Sequence, residues 1–172
     1  MNRRQLETLL ITLESTPALL ARAARDLPAA QVLRRPAGGG LSLLENVWHL
    51  ADLEREAYAV RIRRLLSENE PMLANFDGGR IAREHRYQDR DLAEGLAAFA
   101  AARRRNIEKL RSAARSDWKR RGTQEGVGRI CLGDVPRLMA EHDRTHTQEI
   151  AALFAQITGD TPDLSQPTSA VA

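Results

Sequence analysis

Apolar residues return every third or fourth position in four separate stretches of the chain, and glycine or proline interrupts the pattern between them. That period marks a helix with one buried face. Leu6, Leu9, Leu10, Leu13, Leu20 and Ala24 define the first helix, predicted over residues 3–26. Pro17 falls inside it and is expected to kink or split it, because proline removes a backbone donor and clashes with the preceding turn. The second stretch opens on Ser42 and Glu45, which have the S-x-x-E spacing of a capping box. Its inner face reads Leu43, Val47, Leu50, Leu53 and Ala57, and it runs to Leu66. The third helix is predicted from Asp89 to Ser112, with Leu92, Leu96, Phe99, Ile107 and Leu110 inward. The fourth begins at Gly133 or Asp134 and tolerates Pro136 in its first turn, where the backbone N–H has no helical partner. It carries Val135, Leu138, Met139, His142, His146, Ile150 and Leu153 on one stripe.

Four amphipathic helices, each needing a face to pack on, predict an all-α four-helix bundle with long interhelical loops. Residues 67–88 read as a long loop or a short turn. The glycine-punctuated stretch from Arg115 to Asp134 admits a short hairpin, weakly signalled. Residues 1–158 are expected to form one domain, followed at 159–172 by a flexible tail rich in Pro, Ser and Thr.

Composition narrows the function classes. The single cysteine excludes an internal disulfide and a Cys-rich zinc site. Cys131 lies between Ile130 and Leu132 and reads as a buried structural thiol. The formal net charge is only +3. The basic blocks Arg103-Arg104-Arg105 and Lys119-Arg120-Arg121 have no aromatic residues interleaved, so they read as solvated helix faces and no nucleic-acid partner is expected. No run approaches the roughly 20 apolar residues that span a bilayer. The amphipathic N-terminus, with Glu7 and Glu14, lacks a signal core. A cytoplasmic protein with no membrane partner is the expectation.

His142 and His146 stand four apart in the fourth helix. Helical residues at that spacing differ by about 40° in azimuth and 6 Å in rise, so both rings reach one point above the helix surface. Such a pair is a two-ligand clamp for a first-row metal, and it also arises by chance on solvated helices. Here it continues an apolar stripe, which turns both rings inward. His49 lies mid-helix beside Leu50 and Leu53 and offers a third inward ring. Three buried imidazoles repel one another when protonated. A bound dication holds all three neutral.

The segments "LSLLENVWHLADLE" (41–54) and "LMAEHDRTHTQEI" (138–150) together resemble the DinB-like superfamily. The likeness rests on the HLAD element around His49 and on the histidine pair at 142 and 146, and it spans most of residues 5–155. Gln148 stands two places after His146 where the family spacing has three, and Leu41-Ser42 replaces the frequent Trp-Ser. The resemblance implies a four-helix bundle with a divalent metal held by His49, His142 and His146. Zinc or nickel comes first, with iron or manganese as alternatives. It also implies a homodimer and a small-molecule substrate. Some relatives are thiol-dependent S-transferases or isomerases that use a low-molecular-weight thiol, and others are called hydrolases. Two function classes therefore stand side by side: a metal-dependent hydrolase or thiol S-transferase, and a non-catalytic metal-binding or stress-response bundle.

Neighbouring residues have narrower roles. Asp52, one turn after His49, could orient a ligand ring or meet solvent and Arg55. His85 reads as a surface or loop residue. Asp143 points about 100° away from His142 and is expected to make an interhelical contact. Glu45 is explained by capping, and Glu149 is a minor candidate for a general base. Trp48 and Trp118 read as apolar anchors. The cleft is expected between the second and fourth helices, with the 67–88 loop over its mouth.

Overall fold

In a computed structural model, which describes residues 3–159, α1 (Arg3–Asp26) runs through Pro17 without splitting. Leu10, Leu13, Leu19, Leu20 and Ala23 are buried on both sides of the proline, and this packing outweighs one missing hydrogen bond.

α2 (Leu43–Asp52) starts at the expected capping box. Ser42 Oγ accepts from the Glu45 backbone N–H at 3.2 Å, and Glu45 Oε2 accepts from the Ser42 N–H at 2.9 Å. Arg35 pairs with the same carboxylate. At Leu53–Tyr58 the helix widens into a π segment, and α3 (Ala59–Ser67) restores α spacing. The predicted second helix is thus one rod in three parts. A π turn rotates the side chains that follow it, and such turns cluster at functional sites. A 3.6-residue apolar period carries no mark of it.

Residues 67–88 hold more structure than a loop. They contain β1 (Met72–Leu73) and α4 (Gly78–Glu84), and a short 3-10 turn covers Tyr87–Asp89. α5 (Leu92–Arg111) starts at Asp91, whose side chain accepts from the Glu94 N–H at 2.8 Å. The weakly signalled hairpin is present as β2 (Arg121–Gln124) and β3 (Gly128–Cys131), antiparallel, with Gly122 opposite Ile130. β1 joins the other edge of β2 in parallel, with Met72 opposite Thr123. Gly122 permits that approach, since a Cβ there would stand 2.7 Å from the Pro71 carbonyl oxygen. α6 (Val135–Thr158) carries Pro136 in its first turn and ends at Gly159, whose φ of 81° favours glycine. The expected tail, apart from Gly159, lies outside the described residues.

The apolar core has two clusters along the bundle. One gathers Leu20, Val47, Trp48, Phe99, Ile150 and Leu153, and the other Leu13, Ile62, Leu65, Ile107, Leu132 and Met139. Between them in the order of α1, α5 and α6 lies a polar layer. Arg103 donates to Asp143 Oδ2 at 2.6 Å, to Asp143 Oδ1 at 2.8 Å and to the Leu13 carbonyl at 3.0 Å. It also meets Glu54 Oε1 at 2.9 Å. Thr16 donates to Asp143 at 2.7 Å, and Asn106 to Glu54 Oε2 at 2.7 Å. Arg103 is 1% exposed, which corrects the reading of its basic block as wholly solvated; Arg104 and Arg105 are exposed. Position 103 falls four residues from both Phe99 and Ile107, so the helix turns it inward with them.

Candidate metal centre

The bundle brings His49 of α2 against His142 and His146 of α6. The three rings offer nitrogens that all lie within 4.8 Å of one another. His49 Nε2 and His142 Nε2 are 3.5 Å apart. Two nitrogens each 2.0–2.1 Å from one tetrahedral ion stand about 3.4 Å apart. Ring centroids are 4.4 Å apart for His142 and His146, and 4.6 Å apart for His49 and His146. The three residues singled out in the sequence therefore meet at one point.

Neighbours fix the rings. Asn46, one turn before His49, accepts from His146 Nδ1 at 2.7 Å. Asn46 Nδ2 donates to the Leu41 and Ser42 carbonyls at 3.2 and 3.1 Å, which sets the orientation of the amide. Its oxygen must then face His146, so Nδ1 of that ring carries the proton and Nε2 keeps its lone pair. Gly78, the first residue of α4, sits against His49: a Cβ there would lie 2.5 Å from His49 Cε1. Phe76 meets the same ring edge-on, centroids 5.6 Å apart.

Burial holds the imidazoles neutral. It is the largest cause that pushes each pKa down to about 4, and a neighbouring imidazole adds to it in all three cases. Asp52 opposes the shift at His49, and Asp143 opposes it at His142 and His146. At neutral pH the cluster presents uncharged nitrogen donors. His142 Nδ1 is buried with no hydrogen-bond partner among the described residues, so the protein's own polar groups leave the cluster incomplete. A converging, neutral, three-nitrogen set of this kind fits a divalent first-row cation.

The remaining candidates separate clearly. Asp52 turns to His85 Nδ1 at 2.6 Å, the Tyr87 hydroxyl at 3.0 Å and Arg55 at 3.4 Å. It is buried, and no hydrogen bond joins it to His49 among the described residues. His85, expected at the surface or in a loop, lies at the end of α4 with its side chain 37% exposed. With Asp52 and Glu56 it forms a second group whose ligand atoms lie within 4.8 Å of one another. Asp143 makes the expected interhelical contact, to Arg103. Glu149 reaches 3.1 Å from His146 Nδ1, the nitrogen that already meets Asn46. Trp48 is buried and donates to the Asp91 carbonyl at 2.9 Å; Trp118 packs at the edge of the second cluster. Cys131 is only half-buried, and burial, then Asp134, pushes its thiol pKa up, away from a nucleophilic role.

A cavity of about 440 Å³ opens beside His49 and His142. Tyr58 and Arg61 from the second rod and Leu138 and Thr145 from α6 wall it, and Phe76 from the 67–88 segment also lines it. That is the expected position of the cleft. Gln124 from the β2–β3 hairpin adds a wall that was not foreseen. Asn46, Gly78, Arg61 and Gln124 are the residues that sequence reasoning missed. Asn46 alone left a signal, an amide three positions before His49 and so on the same helix face.

The DinB superfamily model matches residues 12–150. The chain belongs to the DinB superfamily. A protein of Oceanobacillus iheyensis named "Putative metal-dependent hydrolase" is 26% identical over 141 residues, which cover 82% of this chain and 81% of that protein. This DinB-superfamily chain is also similar to the solved structure of YfiT from Bacillus subtilis, with a TM-score of 0.84 and 23% identity. The match covers 92% of this chain and 90% of YfiT, which is described as "a probable metal-dependent hydrolase with an unusual four-helix bundle topology". That likeness establishes the DinB-superfamily fold as a four-helix bundle, to which the three-stranded sheet is added.

Proposed function

We propose that this DinB-superfamily protein is a metal-dependent hydrolase of small molecules, with His49, His142 and His146 as the ligands of one divalent ion, zinc or nickel. The observation that carries the reading is that the histidine cluster opens onto a cavity instead of being sealed in the core. A closed site would suit a purely structural ion. The hydrolase names of the Oceanobacillus iheyensis relative and of YfiT support the same reading.

A divalent cation with open positions lowers the pKa of water toward about 7 and polarises a carbonyl. The chain's own residues prepare the site for that chemistry. Burial keeps the imidazoles deprotonated. Asn46 holds His146 in one tautomer, and Gly78 leaves room for the His49 ring. Leu53, Phe76 and Leu138 give the cavity apolar walls, and apolar surroundings strengthen electrostatic contacts. The same three ligands would serve a thiol-dependent transfer, in which the cation favours the thiolate of a low-molecular-weight thiol.

Elemental analysis of untagged protein, followed by hydrolase and thiol-transfer panels with added zinc, nickel and manganese, tests the proposal. The expected result is one divalent ion per chain and turnover in the hydrolase panel. His146→Ala should lose metal and turnover together while circular dichroism stays helical. Turnover in the thiol panel alone would replace hydrolysis with transfer. Metal retention with no turnover in either panel would favour a binding protein.

A further inference from the structure

Among the described residues two arginines are buried, and their surroundings differ. Arg103 meets two carboxylates. Arg61, 6% exposed, has no ion pair among the described residues. Its Nε is buried without a hydrogen-bond partner, and its Nη2 reaches only the Ala74 carbonyl, at 3.4 Å. The Tyr58 ring lies beneath it, 5.6 Å from the guanidinium carbon. A buried charge that no anion matches costs several kcal/mol, so a guanidinium in this state points to an anion that arrives from outside. Arg61 lines the cavity beside the metal centre. So does Gln124, 7% exposed, whose Oε1 is likewise buried without a partner. The acidic residue on the cavity wall, Glu141, is already paired with Arg137 at 2.9 Å.

We infer that this cavity takes a small carboxylic acid, its carboxylate on Arg61 and a hydrogen-bonding group of the same molecule on Gln124. The planar guanidinium matches a carboxylate with two parallel hydrogen bonds, and one buried cation balances one negative charge. His49 and His142 line the same cavity. On the hydrolase reading, on which the choice of bond rests, the ligand carries its amide or ester beside those histidines. Arg61 is then the anchor that positions the substrate, and the carboxylate is the specificity group.

The test uses N-acetyl amino acids, each paired with its neutral primary amide, titrated calorimetrically into the zinc-loaded and the zinc-free full chain. The acids should bind about 10- to 100-fold more tightly than the amides, the worth of a charge-assisted hydrogen-bond pair. Arg61→Met should abolish that preference at unchanged zinc content, and Arg61→Lys should keep part of it. Arg61→Met should also melt at or above the wild-type temperature, because it removes an unmatched buried charge. Equal binding of acids and amides, a preference that survives Arg61→Met, or a lower melting temperature in that variant would each overturn the inference. So would tighter binding of inorganic phosphate than of every acid. Zinc content reads the metal proposal separately. A chain that takes no zinc but prefers acids through Arg61 loses the hydrolase reading and keeps the anchor. A chain that holds zinc but shows no preference loses the anchor alone.

Discussion

Asn46 Oδ1 accepts a hydrogen bond from His146 Nδ1 at 2.7 Å, joining α2 to α6 at the candidate metal centre. The amide cannot turn over without giving up its two bonds to the Leu41 and Ser42 carbonyls. Asn46→Leu keeps the approximate volume and removes the acceptor. Zinc affinity, measured by chelator competition, should fall about 10- to 100-fold, the usual cost of losing a partner that orients a metal-binding histidine. Helix content should persist. Unchanged affinity would show that Asn46 does not govern the ring.

Gly78 has no room for a side chain. A Cβ would lie 2.5 Å from His49 Cε1 and 2.9 Å from Nδ1, so Gly78→Ala must displace the imidazole or α4. The expected outcome is a loss of zinc affinity of about tenfold or more. Gly79→Ala is the control, since its nearest new contact is 3.6 Å away on the Arg83 side chain. Equal zinc binding by both variants would count against the role of Gly78.

Arg103→Met strips the countercharge from Glu54 and Asp143, both 1–6% exposed. Breaking a buried pair from one side costs about 3–5 kcal/mol, read as a lower urea midpoint in equilibrium unfolding. Adding Glu54→Gln and Asp143→Asn to the same chain should recover part of the loss, because no uncompensated buried charge remains. A triple variant less stable than Arg103→Met would refute this account of the layer.

Acid should weaken the metal-free protein through the histidine cluster. Burial holds the three folded-state pKa values near 4, whereas an unfolded histidine titrates near about 6.5. The unfolded chain therefore binds more protons between those values, and stability falls as pH drops through that window. The contribution is fully present above pH about 6.5 and is lost as the pH approaches 4. Urea midpoints of chelator-treated protein at pH 7 and pH 5 should differ, and the difference should shrink in His49→Phe. A flat profile would mean that the rings are not held neutral by burial.

The four long helical stretches and two of the three candidate ligands were legible because their signals are local. The 3.6-residue stripe marked four helical stretches but not the short α4, Ser42 and Glu45 marked the start of α2, and the spacing of His142 and His146 put both rings on one face. The resemblance carried by the HLAD element joined His49 to them. Arg103 was misread with its charged neighbours, although its spacing from Phe99 and Ile107 already placed it on the buried stripe. The helical period, not charge, decides which side chain of such a run faces the core. The π segment was invisible because one extra residue per turn changes the phase of a pattern without changing its apolar content.

The sequence by itself determined that this chain makes four amphipathic helices and that three histidines face inward, since a helix's own period decides which side chains share a face. Tertiary structure alone decided that Asn46 meets His146, that Gly78 seats His49, and that β1 pairs in parallel with β2. It also brought Arg61 and Gln124 to one cavity, with Arg61 Nε and Gln124 Oε1 buried without a hydrogen-bond partner among the described residues. Each of these relationships depends on how far one element slides and rotates against another. That register follows from the simultaneous packing of every side chain in the core, and no spacing within a single segment encodes it.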